Sequence, residues 1–257
     1  MLQNRVIPCL LLKGRGLVKT TRFKNPKYVG DPINAIKIFN DKEVDELILL
    51  DITATKENRS PNFELIAEVA SECFMPLAYG GGITRVEEAR IILKSGVEKV
   101  IFNTAALRKP DVISAAVKEF GSQAVVVSID VKRKLLGRYE VWMEGGSRKT
   151  GINPVDYARR MQELGAGELF LTAIDKDGTM SGYDLELISK VHEAVDIPII
   201  ASCGAASLED FSAVSKIGLQ AMAAGAMFVF HGPHRAVLIT YPSSDSLKKL
   251  DAKYSNR

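Results

Sequence analysis

Met75-Pro76-Leu77-Ala78-Tyr79-Gly80-Gly81-Gly82-Ile83 is an apolar run that ends in three glycines, and the chain carries it twice. The second copy is Ile197-Pro198-Ile199-Ile200-Ala201-Ser202-Cys203-Gly204-Ala205, and the two prolines lie 122 residues apart. At the same offset, residues 45–50 fall on residues 167–172 without a gap. A repeat of this length is a half-domain and not a solenoid unit. The sequence therefore predicts two similar halves, at about residues 1–120 and 121–230.

Short apolar runs alternate with amphipathic segments along the whole chain. The predicted strands are 6–12, 46–51, 75–79, 99–102, 124–130, 168–172, 197–201 and 220–224. The predicted helices are 32–40, 62–73, 86–94, 110–119, 154–164, 185–194 and 208–216. Continuous apolar strands are typical of parallel sheets that are buried on both faces. Two equal halves of four strands favour a single α/β domain over residues 1–257, a closed (β/α)8 TIM barrel, over the doubly wound sheet.

Composition excludes several classes of function. The 34 basic and 31 acidic residues are nearly balanced and form no block of like charge, so the charge pattern does not indicate binding to nucleic acid. The first five residues lead into a strand rather than a signal peptide, and no apolar run could span a bilayer, so we expect a soluble, cytoplasmic protein. Cys9, Cys73 and Cys203 share no close spacing, which predicts buried reduced thiols and no metal site or cofactor.

The repeated glycine turns predict two anion sites at one end of the barrel. Active sites of parallel barrels lie at the carboxyl ends of the strands, where glycine lets backbone N–H groups approach a phosphate closely. Tight turns without a ligand would explain a single glycine equally well, but the duplication favours a ligand with two phosphates. The predicted first cradle consists of Gly81, Gly82, Asn103 and Thr104, and the predicted second cradle of Ser202, Gly204, Ala224 and Gly225.

Several blocks in this order resemble the cyclase subunit of imidazole glycerol phosphate synthase, HisF, from residue 5 to about residue 230. The matching blocks include Leu50-Asp51-Ile52-Thr53-Ala54, Gly80-Gly81-Gly82-Ile83, Asn103-Thr104-Ala105-Ala106, Ile174-Asp175-Lys176-Asp177-Gly178-Thr179 and Ser181-Gly182-Tyr183-Asp184. The resemblance implies a (β/α)8 barrel with two phosphate sites and a phosphorylated small-molecule substrate.

The resemblance also implies which residues carry the chemistry. Two aspartates in that family, late in strands one and five, act as acid and base in ring closure, and the strand-five aspartate corresponds to Asp130. The strand-one position is Leu11, which cannot move a proton, and losing such a group costs about 10² to 10⁴ in rate. Ordinary ring closure is therefore not expected. A carboxylate that only caps the loop after its strand is the alternative role of Asp130.

Two further mouth positions follow from the resemblance. Lys19 matches the lysine of a mobile first loop that closes over substrate, and Asp177 matches another polar position at the mouth. A solvated basic loop and a helix or turn cap are the respective alternatives. Cys203 stands where the family has glycine, which alters the turn of the second cradle.

Four charged residues stand at or near the starts of strands one, two, four and six, namely Arg5, Glu46, Lys99 and Glu168. Unpaired charges inside a barrel are costly, so they are expected to pair with one another. The resemblance implies a gate where a HisH-like glutaminase subunit docks at the barrel bottom and passes ammonia upward. A stabilising network without a gate is the alternative.

The segment 231–257 departs most from the family. Residues 236–242 are β-branched and end in proline where a last helix would be expected, and His231 and His234 are interpreted as a structural turn. Residues 132–150 are interpreted as a hairpin near the mouth.

The divergent tail and the stretch Pro8-Cys9-Leu10-Leu11-Leu12-Lys13-Gly14 resemble a paralogous HisF-like branch encoded with surface-polysaccharide genes. The function expected first is therefore a lyase or ammonia-transfer subunit of a glutamine amidotransferase complex. It would act in the acetamidino modification of a nucleotide sugar for lipopolysaccharide, together with a sugar amidotransferase. Cyclase activity in histidine biosynthesis, or a non-catalytic ammonia conduit, is the alternative.

Overall fold

The computed structural model describes residues 4–243 and 245–247. The predictions for residues 1–3, 244 and 248–257 lie outside the described residues. The strands are β1 (Arg5–Lys13), β2 (Gly16–Thr21), β3 (Lys24–Gly30), β4 (Leu47–Asp51), β5 (Leu77–Gly80), β6 (Lys99–Phe102), β7 (Val125–Arg133), β8 (Tyr139–Met143), β9 (Arg148–Lys149), β10 (Glu168–Ala173), β11 (Ile199–Ser202), β12 (Ala221–Ala224), β13 (Phe230–His231) and β14 (Ala236–Val237). The helices are α1 (Pro32–Asp41), α2 (Phe63–Glu72), α3 (Val86–Lys94), α4 (Thr104–Arg108), α5 (Asp111–Phe120), α6 (Pro154–Glu163), α7 (Leu185–His192), α8 (Leu208–Ile217) and α9 (Ala226–Val229).

Eight parallel strands close into a barrel in the order β1, β4, β5, β6, β7, β10, β11, β12, and β12 pairs with β1 to complete it. The predicted (β/α)8 architecture is confirmed. All eight predicted strands and all seven predicted helices are present, with ends that differ by up to three residues. The Val-rich and Ile-rich runs form strands because both of their faces are buried.

Two apolar layers follow from the alternation of side chains along each strand. The side chains that point inward form a cluster inside the barrel, and the others pack against the surrounding helices. The inner cluster includes Ile7, Ile48, Ala78, Ile101, Val126, Phe170, Ile200, Ala221 and Ala223. The barrel is therefore a packed core between two polar ends.

The duplication is visible in the structure. β5 and β6 shifted by 122 residues coincide with β11 and β12, and the turns that follow share one backbone geometry. Gly81 and Gly82 have φ values of 120° and 74°, and their counterparts Cys203 and Gly204 have values of 79° and 107°. Cys203 is thus a side-chain-bearing residue in the left-handed region that favours glycine.

Three parts of the chain were not predicted in detail. β2 and β3 form a hairpin that the sequence indicated only as a loop. The tail has β13 and β14 in place of a final helix, with His231 at the end of β13 and His234 in the turn, as predicted. Beyond them, the Tyr241 hydroxyl donates a hydrogen bond to the carbonyl oxygen of Val6 at 2.7 Å.

The prediction of reduced thiols agrees with the structure, but the predicted burial is wrong for two of the three residues. All three thiols are free, but only Cys9 is buried, whereas Cys73 and Cys203 are half-buried. Cys203 lies in a loop at the mouth and Cys73 at the end of α2, where neighbouring segments cover them incompletely. Within the described part of the chain, no helix has the length and apolarity that crossing a membrane requires.

The strained turn gives a test of the fold. Cys203→Gly removes the Cβ from a left-handed conformation and is expected to raise the free energy of unfolding by about 1 kcal/mol. Cys203→Ala is the control, because it removes the thiol and keeps the Cβ. Urea unfolding of the three proteins checks this, and a glycine variant no more stable than the alanine variant would contradict it.

Candidate functional site

A cavity of about 160 Å³ opens at the carboxyl ends of the barrel strands, and we call it the mouth cavity. It brings together residues from nearly every barrel strand and from the β2–β3 hairpin. Of the predicted site residues, its lining includes Leu11, Lys19, Gly81, Asn103, Thr104, Asp130, Asp177, Ser202, Gly204 and Gly225. The prediction that these residues lie close together in space therefore agrees with the geometry.

Asp130 lies on β7 at the base of the mouth cavity and is 7% exposed. The Ser128 hydroxyl donates a hydrogen bond to its carboxylate at 3.3 Å, and no cation pairs with it among the described residues. Burial raises the pKa of Asp130 to about 7, against the opposing effect of Ser128 and Asn103. A carboxyl group with this pKa can accept or give a proton near neutral pH.

Leu11 lines the same cavity from β1, where it pairs with Leu50 of β4 and Val18 of β2. Its side chain is 9% exposed and extends the apolar interior of the barrel up to the mouth. The mouth cavity therefore has one carboxyl group on the β7 side and a hydrocarbon surface on the β1 side.

Lys19 is buried on β2, which differs from the solvated basic loop that the sequence left open. Its ammonium group donates a hydrogen bond to the carbonyl oxygen of Cys9 and lies close to Gly225 of the second cradle. Burial lowers the pKa of Lys19, while Cys9 and Asp177 act in the opposite direction. A side chain on Gly225 would collide with the ammonium group, so this glycine makes room for it.

Asp177 holds the β2–β3 hairpin over the mouth. Its carboxylate accepts hydrogen bonds from the Thr20 hydroxyl at 2.6 Å and from the backbone N–H of Phe23 at 2.9 Å. Its carbonyl oxygen accepts another from the N–H of Arg22 at 2.9 Å. Burial raises the pKa of Asp177, and these hydrogen bonds lower it in part. The contacts fit a closed first loop rather than a helix cap.

The first cradle is built on a turn whose backbone only glycine fits. Gly81 has a positive φ, and a Cβ there would overlap the backbone of Asp51. The Asn103 amide donates to the carbonyl oxygen of Ser128 at 3.2 Å, and the Thr104 hydroxyl accepts from the N–H of Glu144 at 3.0 Å. Glycine is therefore required at this position by both its backbone conformation and its close packing against Asp51.

The second cradle repeats this turn with a cysteine in place of one glycine. Gly204 again has a positive φ and no room for a Cβ, and Ser202 is buried beside it. Ala224 points its side chain into the outer apolar layer, so only its backbone can take part in binding. Cys203 replaces the first glycine of the turn, and its thiol lies 3.9 Å from the Asp177 carboxylate.

The opposite end of the barrel carries the charged ring, formed by Arg5, Glu46, Lys99 and Glu168. Arg5 binds Glu46 at 2.5 Å and also binds Glu168. Lys99 binds Glu46 at 2.8 Å and Glu168 at 3.0 Å. Both carboxylates are buried and both cations are partly exposed, so the ring closes the lower end of the barrel.

Sequence analysis missed two polar residues beside Asp130. Ser128 and Thr172 also line the mouth cavity, and the buried Thr172 hydroxyl has no hydrogen-bond partner. Thr172 is the register partner of Asp130 on β10, so the alternation of inward positions would have found it. Throughout the described part of the chain, no group of His, Cys, Asp and Glu side chains is arranged to hold a metal ion.

Removing a cation from the charged ring should destabilise the fold. In Lys99→Met, the buried Glu46 and Glu168 share one cation, and we expect a loss of about 3 kcal/mol in the free energy of unfolding. Lys94→Met, an exposed lysine of α3, is the control. The double variant Lys99→Met/Glu168→Gln should recover part of the loss. A Lys99 variant as stable as the Lys94 control would contradict the buried ring.

The raised pKa of Asp130 makes stability depend on pH. The pKa of Asp130 is about 7 in the folded protein and has the ordinary value of 3.8 in the unfolded chain. As the pH rises from 3.8 to 7, the unfolded chain releases this proton and the folded protein keeps it, so the free energy of unfolding falls. Asp130→Asn cannot ionise. Its stability relative to the wild type should therefore be greater at pH 8 than at pH 5, by on the order of 2 kcal/mol. Urea unfolding at both pH values measures this, and an unchanged difference would show an ordinary carboxyl group.

The comparisons with known proteins agree with this geometry. A family model described as histidine biosynthesis protein matches residues 5–234. The hisF2 subunit of Pseudomonas aeruginosa, provisionally named for imidazole glycerol phosphate synthase, is 54% identical over 248 residues, which are 96% of this chain and 99% of the relative. A HisF subunit of Leptospira interrogans with a similarly provisional name is 48% identical over 252 residues, 97% of this chain and 99% of the relative.

A third relative is the imidazole glycerol phosphate synthase subunit HisF of Alkaliphilus metalliredigens. It is 47% identical over 231 residues, which are 90% of this chain and 91% of the relative. The family model and these relatives cover the barrel, the mouth cavity and the charged ring. The chain therefore belongs to the histidine biosynthesis protein family and is a HisF-like subunit.

Proposed function

We propose that this chain is the synthase subunit of a two-part enzyme, which uses ammonia at the mouth cavity to convert a phosphorylated substrate. The observation that carries the proposal is the pairing of a closed charged ring at one end of the barrel with an unpaired carboxyl group, Asp130, at the other. The interior between them is apolar, which suits a small neutral molecule and not an ion.

In this proposal each residue of the mouth cavity has a separate role. Asp130 moves a proton at neutral pH because its pKa is about 7. The first and second cradles hold one phosphate each, and Lys19 stands beside Gly225 with its positive charge next to the second. Asp177 keeps the β2–β3 hairpin closed, which excludes water during the reaction.

The proposed partner is a HisH-like glutaminase that docks at the charged ring. Support comes from the partly exposed Arg5 and Lys99, which face the bottom of the barrel and could exchange their carboxylate partners. The names of the relatives describe subunits, which fits an enzyme of more than one chain. Ammonia released by the partner would enter where the ring opens.

The formation of imidazole glycerol phosphate is the reaction that the comparisons support best. The three relatives described above are all named for that synthase, one of them without reservation. Two phosphate cradles across one mouth suit a substrate that is phosphorylated at both ends.

A second candidate is the amidination of an acetamido nucleotide sugar together with a sugar amidotransferase. Leu11 favours it, because a mouth with hydrocarbon on the β1 side lacks one of the two proton-transfer groups that ring closure uses. No name among the relatives described above mentions a sugar.

Turnover with ammonium chloride as the nitrogen source tests the proposal without a partner. Formation of imidazole glycerol phosphate from its precursor should fall about 10² to 10⁴-fold in Asp130→Asn, because the variant cannot transfer the proton. Leu11→Asp should raise the rate and Leu11→Asn, its uncharged match, should not. Product formation that Asp130→Asn leaves unchanged would contradict the catalytic role and favour a non-catalytic conduit.

A further inference from the structure

A second cavity adjoins the mouth cavity on its outer side. It has a volume of about 420 Å³ and shares Gly81, Asn103 and Thr104 with the mouth cavity. Its other walls come from the loops after β4, β5 and β6, and we call it the outer cavity. The first cradle is therefore the wall between two spaces, and a ligand group held there can extend into either of them.

The outer cavity is strongly basic. Its charged lining residues are Arg59, Arg85, Glu88, Arg108 and Lys109, four cations and one anion. The single carboxylate, Glu88, is already saturated, because it accepts hydrogen bonds from Ser60, from the hydroxyl and N–H of Thr84, and from Arg85. It caps the start of α3 and is not available to neutralise the remaining charge.

The four cations differ in how fully they are paired. Arg59 is committed to Asp51 and Glu57, at 2.7 Å each. The Arg85 and Arg108 side chains are 65% and 54% exposed and make one ion pair each within the described chain, with Glu88 and with Glu144. Each of these pairs uses only the Nη2 atom of its arginine, so the other N–H groups of both guanidinium groups can donate to a phosphate. Lys109 forms no ion pair with any described residue.

We propose that the outer cavity binds a second phosphoryl group joined to the one in the first cradle, so that the substrate presents a diphosphate to this side of the mouth. The proposal rests on the proposed function, which places a phosphate in the first cradle. Beside one phosphate in that cradle, Arg85, Arg108 and Lys109 line a space large enough for a further phosphoryl group. A diphosphate supplies the missing charge and spans the shared wall.

This assignment separates the two candidate substrates. A molecule with single phosphates at its two ends fills both cradles and leaves the outer cavity unused. A nucleotide sugar carries two linked phosphates, which the first cradle and the outer cavity can hold together, and the second cradle would then hold another part of the molecule. The outer cavity thus favours the second candidate on physical grounds that are independent of Leu11.

Isothermal titration calorimetry of the full chain with inorganic phosphate, pyrophosphate and uridine diphosphate tests the proposal. Pyrophosphate should bind at least about tenfold more tightly than phosphate, because three additional cations contact the second phosphoryl group. Arg85→Gln/Arg108→Gln/Lys109→Gln should abolish that preference. The matched control, Arg90→Gln/Lys94→Gln/Lys118→Gln, removes the same charge from exposed positions on α3 and α5, including an arginine paired with Glu119, and should retain it.

Each outcome of the titration either supports or overturns the proposal. Equal binding of phosphate and pyrophosphate, or a preference that survives in the outer-cavity variant, overturns the proposal. Loss of the pyrophosphate preference in the outer-cavity variant, with the preference kept in the control variant, supports the proposal. Tighter binding of uridine diphosphate than of pyrophosphate would indicate in addition that the substrate carries a nucleoside. Turnover with ammonium chloride on the same samples keeps the two claims separate. A diphosphate preference without formation of imidazole glycerol phosphate would support this inference and count against that reaction, and turnover without the preference would count against this inference alone.

Discussion

A carboxyl group inside a closed barrel persists either by pairing with cations or by taking up a proton, and this protein uses both solutions at opposite ends. Glu46 and Glu168 pair with Arg5 and Lys99 in the charged ring. Asp130 has no cation partner among the described residues, and its pKa is raised to about 7 by burial. The apolar interior between these ends forces the difference, because it supplies no charge to either. One end is therefore fixed in charge and the other can change it.

The mouth cavity combines two repeated turns with one feature that breaks the repeat. Gly82 and Gly204 keep both cradles open, since a side chain at either position would collide with neighbouring atoms. Asp130 and Leu11, by contrast, lie late in the first strand of each half and differ in chemistry. The duplicated scaffold thus explains binding, whereas the chemistry depends on the half that carries the carboxyl group.

Most of the fold could be predicted from the sequence because the barrel strands are continuous apolar runs, and the glycine turns reveal the duplication. The charged ring could be predicted because charges at strand starts stand out against such runs. The burial of Lys19 could not, since its hairpin folds back through contacts with Asp177 far along the chain. The outer cavity was also missed, because Arg85 and Arg108 follow different strands and share no spacing.

The proposed chemistry depends most on the protonation of Asp130, which can be observed directly. Carbon-13 NMR of the chain labelled at the aspartate carboxyl carbon, with Asp130→Asn to assign the resonance, gives the titration curve of this single group. We predict a midpoint of about 7, set by burial without a cation. A midpoint near the ordinary value of 3.8 would contradict the account, because the group would then be a solvated or paired carboxylate with no proton to exchange at neutral pH.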